Sequence, residues 1–358
     1  MTEAGESLPR VSVVAPCYNE EESLAEFCRR SSRACVAAVG QSYQIVLVDD
    51  GSRDGTWPII ESLSDRDPHV VGVRLFRNHG HQLAATAGLA LARGNRVLLI
   101  DADLQDPPEL LSAMMSLMDQ GADVVYARRT SRDGESWFKL ATASLFYRLL
   151  SSLTEVTIPR DTGDFRLMTR QVVDILNLMP ERHRFLRGMV SWIGGRQVAL
   201  DYERQARFAG SSKYPLGKMV RFAVDAITSF SIKPLRLAVW LGASVSLLAF
   251  MLLFYAVFRW ITGDVVPGWA SSLISTSLFA GTQLLVLGIF GEYLGRVVED
   301  LKQRPLFLVG AVRAGGQTRA LPAEFSRTAP AQRQEVLATL TPATVPVAAV
   351  RFVTKVNA

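Results

Sequence analysis

At 358 residues, 49% of them hydrophobic and 20% charged, the chain is long enough for one large domain and a further module. Its net charge of +5 is modest and its basic residues form no single block, which argues against a nucleic-acid partner. The three cysteines, Cys17, Cys28 and Cys35, cannot all pair and suit reduced thiols rather than a disulfide scaffold, and the four histidines lack the spacing of a zinc site.

Residues 1–9 read as a loose tail, with Glu3 and Glu6 where a secretory signal would need basic and apolar segments. From Val11 onward, short β-branched runs alternate with helical stretches. Val11–Ala15 runs into Pro16-Cys17-Tyr18-Asn19-Glu20-Glu21, Ile45–Val48 into Asp49-Asp50-Gly51-Ser52, and Arg96–Ile100 into Asp101-Ala102-Asp103-Leu104-Gln105. Apolar runs ended by turn-formers predict buried parallel strands, and ligands of such sheets bind beyond the strands' carboxyl ends. All three motifs are therefore expected to point into one carboxylate-rich crevice. Asn19 to Glu22 offers a cap and acidic first turn for a helix through Ala38, and Pro107-Pro108 opens another through Asp119. A strand follows at Asp123–Ala127, then a helix-like pattern between Ser136 and Leu153.

From Phe185 to Arg236 the pattern changes to short pieces mixing aromatic, apolar and basic residues, thickest in charge from Arg204. Phe185–Ile193 and Lys218–Ala223 suit either a membrane interface or a cover for the sheet. Two uncharged stretches, Leu237–Phe258 and the part of Val265–Gly291 from about Ser271, are long enough to span a bilayer, which takes roughly 20 apolar residues. Lys233 and Arg236 precede this hairpin, and Arg296, Lys302 and Arg304 follow it. The positive-inside bias then puts both termini in the cytoplasm of a multi-pass protein of the inner cell membrane. Gly291 and Gly295 have the spacing of a close helix contact. After Pro305 the composition turns to Ala, Thr, Pro and Arg, which predicts a tail that does not pack. The expected division is 1–9 tail, 10–184 catalytic domain, 185–236 juxtamembrane region, 237–300 hairpin (spans near 237–258 and 271–293) and 301–358 cytoplasmic tail.

Neither GxGxxG nor GxxxxGK[ST] occurs, so no phosphate-cradling loop is available. Diphosphate binding through a metal fits better. Asp101, Asp103 and Gln105 would share one side of an extended chain and offer oxygens to Mg²⁺ or Mn²⁺. Asp49, Asp50 and Ser52 supply hydrogen-bonding groups for a base or ribose, with Gly51 permitting close backbone approach.

These motifs, together with Arg77-Asn78-His79-Gly80-His81, Gly163-Asp164-Phe165-Arg166-Leu167-Met168 and Arg207-Phe208-Ala209-Gly210-Ser211-Ser212-Lys213-Tyr214, resemble the family 2 glycosyltransferases of the polyprenyl-phosphate type. That group holds the bactoprenol glucosyltransferases and dolichol-phosphate mannose synthases. The resemblance runs from the first strand to the hairpin and departs from the family pattern at Gly194-Gly195 and Ala226.

It implies an α/β fold of the GT-A, Rossmann-like type and inverting transfer of a hexose from a nucleotide diphosphate sugar to a membrane polyprenyl phosphate of undecaprenyl or decaprenyl type. By the resemblance, Pro16, Tyr18, Glu20, Asp49, Asp50 and Ser52 bind the nucleotide sugar, and Asp101, Asp103 and Gln105 bind the metal. Asp164 and Asp103 act in catalysis. Arg129, Arg132, Arg207, Ser212 and Lys213 hold the acceptor phosphate. For Asp164, an ion pair with Arg166 is the plainer alternative, and His79 and His81 suit packing or capping as well as donor contact. UDP-glucose is the favoured donor and GDP-mannose the next, while a silent membrane scaffold should have lost Asp101, Asp103 or Asp164. A processive synthase is excluded, since the one Arg-Trp pair, Arg259-Trp260, follows Ala256 instead of Gln. Homo-oligomerisation stays open.

Overall fold

The computed structural model describes residues 8–130, 162–203, 231–262 and 268–321. The helix-like pattern of Ser136–Leu153, the segment Lys218–Ala223 and the acceptor candidates Arg132, Arg207, Ser212 and Lys213 lie outside these residues.

Three strands make the centre. β1 (Val11–Cys17) pairs in parallel with β2 (Tyr43–Asp49) on one side and β4 (Arg96–Leu99) on the other. Their alternation is buried on both faces, as parallel strands require. Val11, Val13, Ala15 and Cys17 join one core cluster, while Val14, Val46 and Val48 join the other. The first face is covered by α1 (Leu24–Val39), α2 (Thr56–Arg66) and α4 (Leu111–Asp119). The second is covered by α3 (His81–Leu91), α5 (Arg170–Leu178) and α6 (Leu186–Ile193). Gly88 lets α3 approach β1: a Cβ there would stand 2.4 Å from Val14 Cγ1. Beyond this centre run β3 (Val70–Leu75), β5 (Val124–Arg129), β6 (Thr162–Thr169) and β7 (Gln197–Tyr202). With β8 (Val309–Ala314) and β9 (Gln317–Arg319) the sheet is mixed, in the order β7-β5-β6-β4-β1-β2-β3-β8-β9.

Several expectations change. α1 begins at Leu24, because Asn19 takes a positive φ of 55° and the acidic run forms a turn before the helix. Residues 185–202 belong to the catalytic domain: Leu186, Met189 and Val190 of α6 are buried in the core, and β7 pairs with β5. The sheet-covering alternative therefore holds for Phe185–Ile193. The stretch after Pro305 does pack, up to Leu321. β8 runs antiparallel to β3, Phe307 is 1% exposed, and Arg313 forms a two-pronged ion pair with Asp65. The apolar residues Phe307, Val309 and Val312, which join one core cluster, were hidden within a composition typical of unpacked tails.

α7 (Lys233–Ile261) and α8 (Trp269–Leu301) are the two apolar helices. Segments Lys233–Arg259 and Ile274–Leu301, with mean hydropathy 2.3 and 1.6, are long and apolar enough to cross a membrane. Almost none of either is buried within the protein, unlike the core helix of a soluble domain. Gly291 and Gly295 have nothing within 4 Å of where a Cβ would stand, so their spacing serves no close contact within the described residues.

Phe307→Ala is expected to destabilise the protein by about 3–4 kcal/mol, the cost of emptying a fully buried aromatic site. Unfolding in detergent measures it, and a loss below about 0.5 kcal/mol would mean that the C-terminal strand contributes nothing to the core.

Candidate active site

The order β4-β1-β2 sets the three strand-end motifs side by side, and hydrogen bonds between their loops fix the edge. Asp50 N donates to Cys17 O at 2.9 Å and Ile100 N to Val14 O at 3.1 Å. The loops after β1 and β2 are then tied together. Asn19 N donates to Ser52 Oγ at 3.0 Å, Arg53 N to Asn19 Oδ1 at 2.9 Å and Glu20 N to Thr56 Oγ1 at 2.9 Å. Gly51 has φ 69°, and a Cβ there would lie 2.7 Å from Asn78 N, so the next loop packs directly on its backbone.

Asp50 shapes this edge rather than facing outward. It is 2% exposed, and its two carboxylate oxygens accept from His79 N at 2.7 Å and Gly80 N at 2.9 Å. Asp49 differs. Its Oδ1 accepts from Ser52 N at 3.0 Å, while its buried Oδ2 has no hydrogen-bond partner among the described residues and lies 3.9 Å from Arg74 Nε. A buried oxygen left unpaired costs about 1–3 kcal/mol, which a ligand N–H would recover. Tyr18, the residue after β1, is exposed, and Pro16 is buried within that strand. Glu20 Oε2 accepts from Ser23 Oγ at 2.9 Å.

After β4 the chain does not stay extended. It turns at Leu104, whose φ is 61°, and Gln105 N folds back to Asp103 Oδ1 at 3.1 Å. The alternation expected to align residues 101, 103 and 105 is therefore absent, and Gln105 is 9% exposed. Asp101 and Asp103 keep the edge acidic. Burial pushes the Asp101 carboxyl up to about 6, with Asp164, Asp106 and Asp103 adding repulsion and His81 opposing it. Among the described residues no three His, Cys, Asp or Glu side chains form a complete metal cage. Asp101 and Asp103, which repel one another, could offer carboxylate oxygens to a hard cation, with coordination left over for a substrate's phosphates.

On the far side of Asp101 lies Asp164, 3% exposed on β6. The alternative of an ion pair with Arg166 does not form. Arg187 of α6 takes that place, with Nε donating to Asp164 Oδ1 at 2.8 Å, while Arg166 Nη2 donates to Gly163 O at 3.0 Å. Gln82 Nε2 donates to Asp164 Oδ2 at 2.9 Å. His81 bridges the two carboxylates, its Nε2 being 3.3 Å from Asp164 Oδ2 and 3.4 Å from Asp101 Oδ1. Burial alone would lower its pKa, but the Asp164 hydrogen bond and both negative charges raise it to about 9, so the ring is cationic at neutral pH. For Asp164 burial likewise opposes ionisation, and Arg187 and His81 outweigh it, holding the carboxyl well below its usual range. His79, by contrast, is pushed down by burial and by Arg77.

Arg129 sits at the end of β5. Its Nε donates to Tyr202 Oη at 3.2 Å and its Nη2 lies 3.8 Å from Asp106 Oδ1, which Tyr202 also bonds. A Cβ on Gly163 would stand 3.0 Å from Arg129 Nη2, so this guanidinium borders the Asp164 segment. Gln82, Arg187, Tyr202 and the partner role of Asp106 were not foreseen. Gln82 directly follows a quoted motif, whereas Arg187 lies in a segment whose pattern suits a membrane interface as well as a cover for the sheet.

Residues 12–176 match the glycosyl transferase family 2 domain. An uncharacterized glycosyltransferase of Bacillus subtilis (strain 168), YkcC, is 45% identical over 83% of this chain and 92% of its own length. The prophage bactoprenol glucosyl transferase homolog of Escherichia coli (strain K12) is 37% identical over 85% and 99%, and the bactoprenol glucosyl transferase of Shigella phage SfX is 39% identical over 84% and 98%. Among solved structures, Staphylococcus aureus TarS 1–349 with UDP-GlcNAc superposes with a TM-score of 0.44 at 20% identity, over 62% of this chain and 66% of that one, too loosely for any residue-level correspondence. Such identity with whole-length relatives, carried on a mixed sheet of the GT-A type, means that the chain belongs to glycosyl transferase family 2.

Proposed function

We propose that this glycosyltransferase moves a hexose from a nucleotide diphosphate sugar to a polyprenyl phosphate in the membrane. The observation that carries the reading is the carboxylate edge itself: Asp101 and Asp103 after β4 and the buried Asp49 at the end of β2, on one rim of the sheet, in a chain that also holds two membrane-length helices. The bactoprenol named for its relatives supports the acceptor class, and their glucosyl transferase names support UDP-glucose ahead of GDP-mannose. A silent scaffold is disfavoured because Asp101, Asp103 and Asp164 are all present.

In this reading the acceptor's phosphate oxygen attacks C1 of the sugar from behind. The bond from C1 to the diphosphate breaks, its electron pair leaves with the nucleoside diphosphate, and configuration inverts. Asp49, with Ser52, Tyr18, Pro16 and Glu20, forms the nucleotide end of the site. Asp50 holds the His79–Gly80 loop in place beneath it. Asp101 and Asp103 would hold Mg²⁺ or Mn²⁺, which supplies charge neutralisation for a leaving diphosphate. A phosphate monoester is largely ionised near neutral pH, since its second pKa is about 6, so the acceptor needs no strong base. Asp164, kept anionic by Arg187 and His81, suits orienting the acceptor rather than removing a proton. Arg129 stands on that side, and Arg207, Ser212 and Lys213 are assigned to the phosphate by their sequence motif, with Arg132 as a further candidate.

Asp103→Ala, or Asp101→Ala, is expected to abolish sugar transfer while the melting temperature stays near that of the wild type. Transfer of labelled sugar to polyprenyl phosphate, with a panel of nucleotide sugars, checks this, and activity that survives a chelator would sink the metal assignment. Arg207→Ala and Lys213→Ala are expected to raise the KM for the lipid about ten- to a hundredfold, the worth of one charge-assisted phosphate contact, and to leave the donor KM nearly unchanged. Both termini are expected in the cytoplasm. Protease added outside intact cells should leave the C-terminal segment uncut, and its cleavage there would reverse the topology.

A further inference from the structure

Asp164 is held from two helices at once, and the holding groups are tied to each other. From α6, Arg187 Nε donates to Oδ1 at 2.8 Å and Nη2 reaches Oδ2 at 3.4 Å. From α3, Gln82 Nε2 donates to Oδ2 at 2.9 Å, and His81 Nε2 stands 3.3 Å from the same oxygen. Gln82 Oε1 in turn accepts from Leu186 N at 2.9 Å, the residue just before Arg187. The ring of contacts therefore closes: α3 to β6, β6 to α6, and α6 back to α3. A carboxylate that is 3% exposed and bonded on both oxygens has one orientation available.

The division of labour along α6 separates this ring from simple packing. Leu186, Met189 and Val190 are buried and supply the helix's adhesion to the sheet. The Arg187 side chain is 28% exposed and reaches along the cleft to Asp164. A buried ion pair of this kind adds little net stability, because desolvation offsets most of the attraction, and it more readily fixes a geometry. The forked guanidinium suits that task, since it meets both oxygens where an ammonium would make a point contact.

We propose that Arg187 is a positioning residue of the transfer reaction, acting through Asp164 by fixing the direction in which that carboxylate faces the acceptor. The inference rests on the reading of Asp164 as the acceptor-side carboxylate. It separates two roles for a cation here: one that holds Asp164 and one that holds the acceptor phosphate directly. Gln82 completes the same clamp from the α3 side.

A double-mutant cycle tests it on the full-length protein in detergent, with UDP-glucose and a short-chain polyprenyl phosphate. Arg187→Ala should lower kcat roughly 10–100-fold, the usual cost of loosening a supporting group, with both KM values within about threefold of wild type. Arg187→Lys should recover part of that loss. In an Asp164→Asn background, Arg187→Ala should cost less than about threefold, because the residue it acts through is already altered. Losses that multiply across the two sites would overturn the proposal, as would a rise in lipid KM, which would mark Arg187 as a phosphate ligand. If Arg187→Ala fails to reach the wild-type melting temperature, Arg187→Met keeps the aliphatic stem and is read by the same criteria. Wild-type enzyme that transfers sugar only to water would defeat the polyprenyl acceptor and still allow the cycle to be read on that hydrolysis.

Discussion

The parallel pairing of β1 with both β2 and β4 is the constraint from which the site follows. Each strand is buried on two faces, so slipping any of them by one residue would exchange the apolar sets of the two core clusters. Register is thereby fixed from within the core. Since all three strands run the same way, their carboxyl ends form one rim, and the polar motifs that terminate them are held by packing that lies behind the chemistry. The rim needs few bonds of its own. Those from Asn19 to Ser52 and from Asp50 to His79 and Gly80 join neighbouring loops, while Asp50 N and Ile100 N bond back onto β1.

Along this rim the charges are graded. Asp101 is raised to about 6 by burial and by the other carboxylates near it, whereas Asp164 is surrounded by cations and remains ionised. His81 stands between them and carries a positive charge drawn from both. Two carboxylates a short way apart are thus given opposite characters by their surroundings, one ready for a cation and one already paired. The distinction comes from α3 and α6, which approach the rim from the same face of the sheet.

The strand-end motifs could be read in the sequence because they follow runs whose apolar character can have only one explanation, a doubly covered strand. Asp49, Asp50, Asp101 and Asp103 were found that way. The roles within a motif were less accessible. Asp50 looked like a ligand-facing acceptor, yet both its oxygens are spent on backbone N–H groups, a fact of loop geometry that no spacing conveys. Gln105 looked aligned with Asp101 only so long as the chain was taken as extended, and a positive φ at Leu104 breaks that alignment. Arg187 was missed because an amphipathic helix bearing Arg and Trp has the same pattern at a bilayer surface as on a sheet. The C-terminal strand was missed because β8 is irregular in composition and owes its order to an edge of β3 that lies far away in sequence.

That last strand alters what kind of object the pair of apolar helices is. The chain leaves the catalytic sheet after β7, passes through α7 and α8, and comes back to pair with β3. The hairpin is therefore inserted within the domain instead of hanging from its end. During synthesis, β1 to β7 emerge before either apolar helix, but the edge of β3 stays open until the second helix has been made. A nascent chain at that stage presents an unpaired parallel-sheet edge, a surface prone to joining another chain. Completion of the sheet thus waits on the two apolar helices, and a molecule stalled after the first of them would be left with an unfinished sheet.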